Sequence, residues 1–300
     1  MASVIATTTS VDSPHAPFVA WRQLKYVVQE ARPAVQAVFL MRLVAATGLL
    51  WHPTVQALIV IAGWLPLVIA IYVYNGVSDI SSDTTNGSAR PIASGQLSCV
   101  AAVRWCQYSA VVGLCVCWLV APAVSILGVA LLVIGWAYSA GPCLKNKPVG
   151  FGVIVGLGAA LTYIAGWFAS PESETGTLPV MLVVAAWVGL CCASKDFSDV
   201  DGDRLAGRHT WPVIFGPRGA AQLLGAVAIT AGAAAFVWSV EAGVGVAPAV
   251  VLLGGSLLLA VVSRVSGAKP DRATRRRPYR AFLATQYAAN LTMIGTGFVY

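Results

Sequence analysis

Long apolar stretches, separated by short polar segments, make up most of this chain. Each stretch is close to the length of about 20 residues that an α-helix needs to cross a bilayer. The apolar residues run on without the polar alternation of a membrane β-barrel, so helices remain as the way to satisfy the backbone in lipid. The pattern predicts nine membrane-spanning helices, at residues 33–50, 54–74, 97–119, 122–140, 149–168, 179–194, 217–238, 245–264 and 279–299.

The basic residues test this count, because lysine and arginine concentrate in the cytoplasmic loops of membrane proteins. With a cytoplasmic N-terminus, the segments 51–53, 120–121, 169–178 and 239–244 lie outside, and none of them contains lysine or arginine. All 19 basic residues fall in the inner segments or in the spans. The distribution predicts a multi-pass plasma-membrane protein with its N-terminus inside, whereas an eight-span arrangement would break the pattern.

The N-terminal region precedes the first predicted span. Residues 18–32 combine apolar side chains with charged ones such as Glu30, as in an amphipathic helix whose polar face is solvated at the membrane interface. A frayed juxtamembrane tail is the other interpretation of these residues. Two regions are predicted: a tail with an interfacial segment over residues 1–32, and a transmembrane domain over residues 33–300.

Composition excludes a soluble domain. Hydrophobic residues make up 58% of the chain and charged residues 10%, with a mean hydropathy of +0.76, against an apolar share of roughly 45–50% in soluble domains. Only 12 residues are acidic, and six of these lie in two polar segments. We name residues 75–83 the first acidic segment and residues 195–203 the second acidic segment.

Each acidic segment would present one polar helix face, because side chains three or four residues apart lie on the same side of a helix. Asp201, two residues from its acidic neighbours, points off that face. Carboxylate and amide oxygens suit Mg2+, which takes one or two protein carboxylates and completes its shell with water and phosphate oxygens. Two metal-holding arms around one polyphosphate are therefore predicted, formed by Asn75, Asp79 and Asp83 and by Asp196, Asp199 and Asp203.

The two acidic segments also form a weak internal repeat about 120 residues apart. The first reads Asp79-x-x-x-Asp83-x-x-x-Gly87 and the second Asp199-x-x-x-Asp203-x-x-x-Gly207, with Arg90 and Arg208 behind them. The predicted fold class is all-α, a polytopic membrane helical bundle of about nine transmembrane helices in two pseudo-repeated halves. Secondary transporters also have repeated halves that meet at a polar site, so a transporter is one alternative function. However, transporters carry ionisable groups in mid-span, and here these groups gather at one membrane face.

Three motifs resemble those of the UbiA superfamily of intramembrane prenyltransferases, and the resemblance covers residues 30–300. The first is Asn75-x-x-x-Asp79-x-x-x-Asp83-x-x-Asn86 with Arg90-Pro91-Ile92 behind it. The second is Lys195-Asp196-x-x-Asp199-x-x-Gly-Asp203. The third is the loop Tyr138-Ser-Ala-Gly-Pro142-Cys-Leu144-Lys145-x-x-Pro148. The chain departs from the family pattern at Gly76, where an aspartate is usual.

This resemblance implies Mg2+-assisted loss of diphosphate from a prenyl diphosphate and capture of the allyl cation by an acceptor. It implies two Mg2+ ions, one held by Asn75, Asp79 and Asp83 and the other by Asp199 and Asp203 with support from Asp196. The four catalytic residues implied are Asp79, Asp83, Asp199 and Asp203. The substrate contacts implied are Arg90, Tyr138, Lys145, Lys147 and Lys195.

The acceptor expected is a small hydrophobic molecule, most simply an aromatic or quinone-precursor ring, and the active site is expected to face the cytoplasm. The other partners expected are the prenyl diphosphate and the lipid bilayer, with no nucleic acid. A UbiA-type terpene cyclase is the alternative enzyme, because it has the same metal motifs but captures the cation with the double bonds of its own substrate. A secondary transporter is the remote alternative.

Overall fold

Fourteen α-helices and two short 3-10 helices, without a strand, form residues 16–170 and 177–296, the parts of the chain that the computed structural model describes. Residues 1–15 of the predicted tail, residues 171–176 of a predicted outer segment, and residues 297–300, where the ninth predicted span ends, lie outside this description. The helices are α1 (Ala16–Glu30), α2 (Pro33–Thr47), α3 (Val55–Ser78), α4 (Ile80–Thr85), α5 (Cys99–Trp118), α6 (Pro122–Ser139), α7 (Gly150–Phe168), α8 (Thr177–Cys191), α9 (Val200–Leu205), α10 (Trp211–Ile214), α11 (Gly216–Ala242), α12 (Val246–Ser266), α13 (Arg272–Arg275) and α14 (Arg277–Thr296).

Each predicted span coincides with a long helix, in chain order α2, α3, α5, α6, α7, α8, α11, α12 and α14. Within the described residues, seven of these are long and apolar enough to cross a membrane. α2 falls short because its 15 residues rise only about 22 Å, against a hydrocarbon core of about 30 Å. α14 has 20 residues but buries polar side chains such as Gln286 and Asn290. An integral membrane bundle is confirmed, whereas the count of nine spans is not.

The long helices form a ring. Successive members pack side by side from α2 to α14, and α14 closes the ring against α2. Glycines allow a close approach between α7 and α8. A Cβ at Gly189 would lie 2.8 Å from the carbonyl oxygen of Gly152 and 3.1 Å from the Cα of Gly156. Small residues of this kind let helix backbones approach each other in membranes.

From the middle aspartate onward, the two acidic segments share one backbone conformation, which supports the internal repeat. Each is interrupted at an aspartate: Asp79 between α3 and α4, and Asp199 between the 3-10 helix Cys192–Ser198 and α9. The φ angles there are −105° and −117°. Gly87 and Gly207 then follow each unit with φ angles of +60° and +65°. A residue of the first segment thus corresponds to the residue 120 positions later, and each expected polar face is kinked at its middle aspartate.

The C-terminal half of α1 packs against the helical bundle. Val27 and Ala31 are buried in an apolar cluster with Val73 of α3 and with Ile92 and Leu97, which follow α4. This burial holds the end of α1 beside the first acidic segment.

Candidate functional site

The two acidic segments lie against each other, since α4 packs on α9. The backbone N–H of Gly202 donates to Oδ1 of Asn86 over 3.0 Å. A Cβ at residue 202 would collide with the same Asn86 side chain. Glycine at this position therefore allows the two segments to come together.

Arg208 joins the two segments. Its Nη2 donates to Oδ1 of Asp79, and its Nη1 donates to Oδ1 of Asp203 over 3.1 Å. Burial alone would lower the pKa of Arg208, but the two carboxylates outweigh burial and raise this pKa above its ordinary value. A planar guanidinium has enough fixed donors to hold two carboxylates at once. The sequence-based site did not include Arg208, although it follows the second segment much as Arg90 follows the first.

Asp79 lies at the centre of a polar network in the first acidic segment. Its Oδ1 accepts from Nζ of Lys145 over 2.7 Å, and its Oδ2 accepts from Nδ2 of Asn75 over 3.0 Å. The hydroxyl of Ser139 donates to Oδ1 of Asn75 over 3.1 Å. Burial would raise the pKa of Asp79, but Arg208 and Lys145 outweigh it and hold the pKa below its ordinary value. Asp79 is therefore an ionised, buried carboxylate.

Asp83 is paired with Arg90, which also contacts α1. The Nη1 of Arg90 donates to Oδ2 of Asp83 over 2.8 Å, and its Nη2 lies 2.6 Å from Oε1 of Glu30. Glu30 is completely buried, and its Oε2 accepts from the backbone N–H of Ile92 over 3.0 Å. Burial raises the pKa of Glu30 by more than Arg90 lowers it. The structure thus corrects the expectation that Glu30 lies on a solvated helix face.

The carboxylates of the second acidic segment are also paired with basic side chains. The Nζ of Lys195 lies 2.6 Å from Oδ1 of Asp196, and Nη2 of Arg272 lies 2.9 Å from Oδ1 of Asp199. Burial raises the pKa of Asp203 to about 6, and the nearby Asp196 acts in the same direction. Arg272, from α13, is a second basic residue that the sequence did not indicate.

An elongated cavity runs from the acidic segments into the bundle. Asn75 and Lys195 line the end at the acidic segments. Arg32, just before α2, and Arg42, within α2, also line the cavity, and the part of α2 from Pro33 to Arg42 rises about 14 Å. At the inner end, the guanidinium of Arg42 donates to Oε1 of Gln286. The walls between the ends are mainly apolar and include Val35, Phe39, Ile71, Leu131, Ile134 and Phe282.

Of the predicted site residues, Asn75, Tyr138 and Lys195 line this cavity. The carboxylates, Arg90 and Lys145 form the ion pairs described above. Lys147 differs, because its side chain is exposed. Asp201 also points away, as its spacing predicts: its side chain is 65% exposed and pairs with Arg275 over 3.1 Å.

The carboxylate and amide oxygens of the site suit Mg2+ as ligands, although in this structure the carboxylates are paired with basic side chains. Across residues 16–170 and 177–296, no three His, Cys, Asp or Glu side chains lie together as a metal-binding group. Mg2+ needs only one or two protein carboxylates beside water and phosphate oxygens. Oδ2 of Asp196 is buried without a hydrogen-bond donor among the described residues. Buried oxygens of this kind are costly unless a donor or a cation reaches them.

The sequence is similar to a known protein family and to a curated protein. The model of the UbiA prenyltransferase family matches residues 35–285. The digeranylgeranylglyceryl phosphate synthase of Methanoregula boonei is 30% identical over 200 residues, which cover 64% of this chain and 69% of that protein.

Two solved structures share the fold. A UbiA homologue from Archaeoglobus fulgidus, bound to DMAPP and Mg2+, aligns with a TM-score of 0.64 at 21% identity over 88% of this chain and 99% of its own. The apo structure of a UbiA homologue from Aeropyrum pernix K1 aligns with a TM-score of 0.63 at 20% identity, over 87% and 95% of the two chains. At these identities the likeness establishes the helical architecture.

Proposed function

The chain belongs to the UbiA prenyltransferase family, and we propose that it is a Mg2+-dependent enzyme that ionises a prenyl diphosphate and transfers the prenyl group to an acceptor. The observation that carries this proposal is the contact between the two acidic segments through Arg208, beside a mainly apolar cavity that Asn75 and Lys195 of the same segments line. One end of this site offers charge for a diphosphate, and the other offers apolar walls for a prenyl chain.

The first step breaks the bond between C1 of the prenyl group and the diphosphate oxygen, and the electron pair leaves with the diphosphate. Bound Mg2+ would supply the charge that stabilises this leaving group. Asn75, Asp79 and Asp83 would hold one ion, and Asp199 and Asp203 the other, with support from Asp196. The basic side chains beside them, Lys145, Arg90 and Lys195, would contact the diphosphate oxygens, since fixed cations in a dry site stabilise developing negative charge strongly.

The allyl cation left behind needs a site without water and with aromatic faces nearby. Tyr138 and Tyr72 line the cavity at its polar end and in its wall, and both suit this role. The acceptor then donates an electron pair to C1 and loses a proton. We propose an aromatic or quinone-precursor ring as this acceptor.

A second acceptor class is favoured by one comparison. The curated relative at 30% identity is a digeranylgeranylglyceryl phosphate synthase, so a glyceryl phosphate alcohol is the other acceptor to test. Either acceptor would enter from the cytoplasmic side of the plasma membrane, where the basic-residue distribution locates the acidic segments. In the same view, residues 1–32 are an N-terminal region and residues 33–300 the transmembrane catalytic domain.

The proposal is tested with purified protein, prenyl diphosphates of increasing length and a panel of both acceptor classes. Product formation should require Mg2+ and stop with EDTA. Asp203→Ala should lower the rate about 100-fold or more, as expected when a group that stabilises charge in the transition state is lost. Asp201→Ala is the matched control, because this side chain points away, and it should retain most activity. Equal loss in both variants would contradict the assigned site.

The same assay separates a transferase from a cyclase. Release of diphosphate with a cyclic hydrocarbon, in the absence of any acceptor, would identify a terpene cyclase. Product that appears only when an acceptor is added supports the transferase.

A further inference from the structure

The internal repeat reveals an asymmetry at one position. Residues 120 apart correspond, so Asp196 of the second segment corresponds to Gly76 of the first. Gly76 lies in α3 and Asp196 in a 3-10 helix, but one backbone hydrogen bond is the same at both places: the N–H of Asp79 donates to the carbonyl of Gly76 over 3.3 Å, and the N–H of Asp199 donates to that of Asp196 over 3.2 Å. The second segment has a buried carboxylate at this position, whereas the first has no side chain.

The space above Gly76 is filled by another carboxylate. A Cβ on residue 76 would collide with Oε1 of Glu30, and it would lie 2.9 Å from Cδ of Glu30 and 2.8 Å from Nη2 of Arg90. Glu30 is the last residue of α1 and lies 46 positions before Gly76 in the chain. From these contacts we infer that Glu30 takes the place, in space and in charge, of the carboxylate that the first acidic segment lacks at residue 76.

The residues before and after Glu30 hold it in position. Val27 and Ala31, on either side of it, are buried in the bundle. Arg32 then adopts a left-handed backbone with a φ of 59°, and Pro33 begins α2 at the next residue. A buried carboxylate on such a rigid turn costs folding energy unless it is paired, and Arg90 is the side chain that pairs with it.

The charge balance of the first segment depends on Glu30. Three carboxylates there are paired with three basic side chains, namely Glu30, Asp79 and Asp83 with Arg90, Lys145 and Arg208. Without Glu30, two carboxylates of the first segment would face three basic side chains, one of which, Arg208, is shared with Asp203, and a divalent cation would enter a more positive site. Arg90 would also keep Asp83 as its sole carboxylate contact among the described residues. Glu30 therefore acts as a positioning residue: it shares the guanidinium of Arg90 with Asp83, and so weakens the hold of Arg90 on that metal ligand.

The inference rests on the proposed function, because it treats the first segment as one side of the Mg2+–diphosphate site. Its test is a set of reciprocal substitutions: Glu30→Ala, Gly76→Asp, the double variant Glu30→Ala/Gly76→Asp and, as matched control, Glu30→Ala/Gly76→Asn. The control fills the same space without charge. Two measurements are made in detergent: the thermal midpoint without metal, and the Mg2+ concentration that half-saturates binding of a prenyl thiolodiphosphate, by calorimetry.

Gly76→Asp alone should lower the thermal midpoint, because its side chain collides with Glu30, and the double variant should recover it. Glu30→Ala should raise the half-saturating Mg2+ concentration about 10-fold or more, as expected when a residue that orients metal ligands is lost. The charged double variant should restore the wild-type requirement, whereas the asparagine control should restore stability alone. If Glu30→Ala does not fold, Glu30→Gln gives the same metal measurement, because it keeps the acceptor for Ile92.

Failure of the inference is distinguishable from failure of the proposed function. A wild-type protein whose ligand binding ignores Mg2+ would overturn the proposed function. A wild-type protein that responds to Mg2+, with a charged double variant no more stable than Gly76→Asp or no better at binding Mg2+ than Glu30→Ala, would overturn the role of Glu30.

Discussion

Arg208 illustrates how single side chains organise this site. Its guanidinium neutralises Asp79 and Asp203, which come from different halves of the repeat. Removal of one partner from a buried ion pair leaves the other charge uncompensated and costs about 3 kcal/mol or more. Arg208 thus neutralises two neighbouring carboxylates, as a bound metal ion would.

The substitution Arg208→Gln should therefore lower the thermal midpoint measured in EDTA, by the equivalent of about 3 kcal/mol. Mg2+ should raise the midpoint of the variant by more than that of the wild type, because the ion can compensate the released carboxylates. Arg218→Gln, at an exposed arginine on α11, is the matched control and should change neither value. An unaltered midpoint in EDTA would show that Arg208 does not stabilise the resting site.

At the residue scale, the sequence predicts the orientation of a side chain where that orientation follows from spacing along a helix. Asp201 was expected to point away because it lies two residues from Asp199 and Asp203, and the structure confirms this. Glu30 and Arg208 could not be assigned in the same way, because their partners lie 60 and 129 residues away in sequence, at Arg90 and Asp79. One usable signal was the scarcity of carboxylates, since Glu30 is one of only 12.

At the scale of helices, the contact between α7 and α8 depends on the absence of side chains. The neighbours of a Cβ at Gly189 are backbone atoms of Gly152 and Gly156, which cannot rotate away. Gly254 of α12 provides the contrast, since it is exposed and a Cβ there meets nothing within 4 Å.

Gly189→Ala should therefore destabilise the protein by about 1–3 kcal/mol, the usual cost of overpacking. Gly254→Ala should be neutral or slightly stabilising, because alanine favours a helix over glycine by roughly 0.5–1 kcal/mol. Thermal unfolding of both variants in the same detergent makes the comparison. Equal thermal midpoints for the two variants would contradict the requirement for glycine where α7 packs on α8.

The sequence predicted the positions of the long helices well, because an apolar stretch of membrane length has few other solutions. It did not predict that α2 ends after 15 residues or that α14 buries Gln286 and Asn290. These features depend on neighbouring helices, which a hydropathy pattern does not contain. The breaks at Asp79 and Asp199 were also missed, since i, i+4 spacing is equally compatible with a continuous helix.

At the scale of the whole molecule, each carboxylate of the site is paired with a basic side chain before any ligand binds. The basic partners come from separate parts of the chain, namely Arg90, Lys145, Lys195, Arg208 and Arg272. A diphosphate alone would draw these cations away and leave buried carboxylates unpaired. Mg2+ alone would take the carboxylates and leave the cations unpaired. Only both ligands together leave every charge with a partner.

Mg2+ and a prenyl diphosphate should therefore bind with mutual enhancement, and linkage requires the same factor in both directions. Calorimetry of a prenyl thiolodiphosphate with and without Mg2+ measures one direction, and Mg2+ titration with and without the analogue measures the other. Asp83→Asn, which keeps the shape of the side chain, should raise the Mg2+ concentration required. Lys145→Ala should mainly weaken binding of the analogue, because lysine offers phosphate a point charge and cannot ligate Mg2+. Equal affinity for the analogue in both conditions would contradict a metal-bridged site, and would leave the basic side chains as the whole of the diphosphate contact.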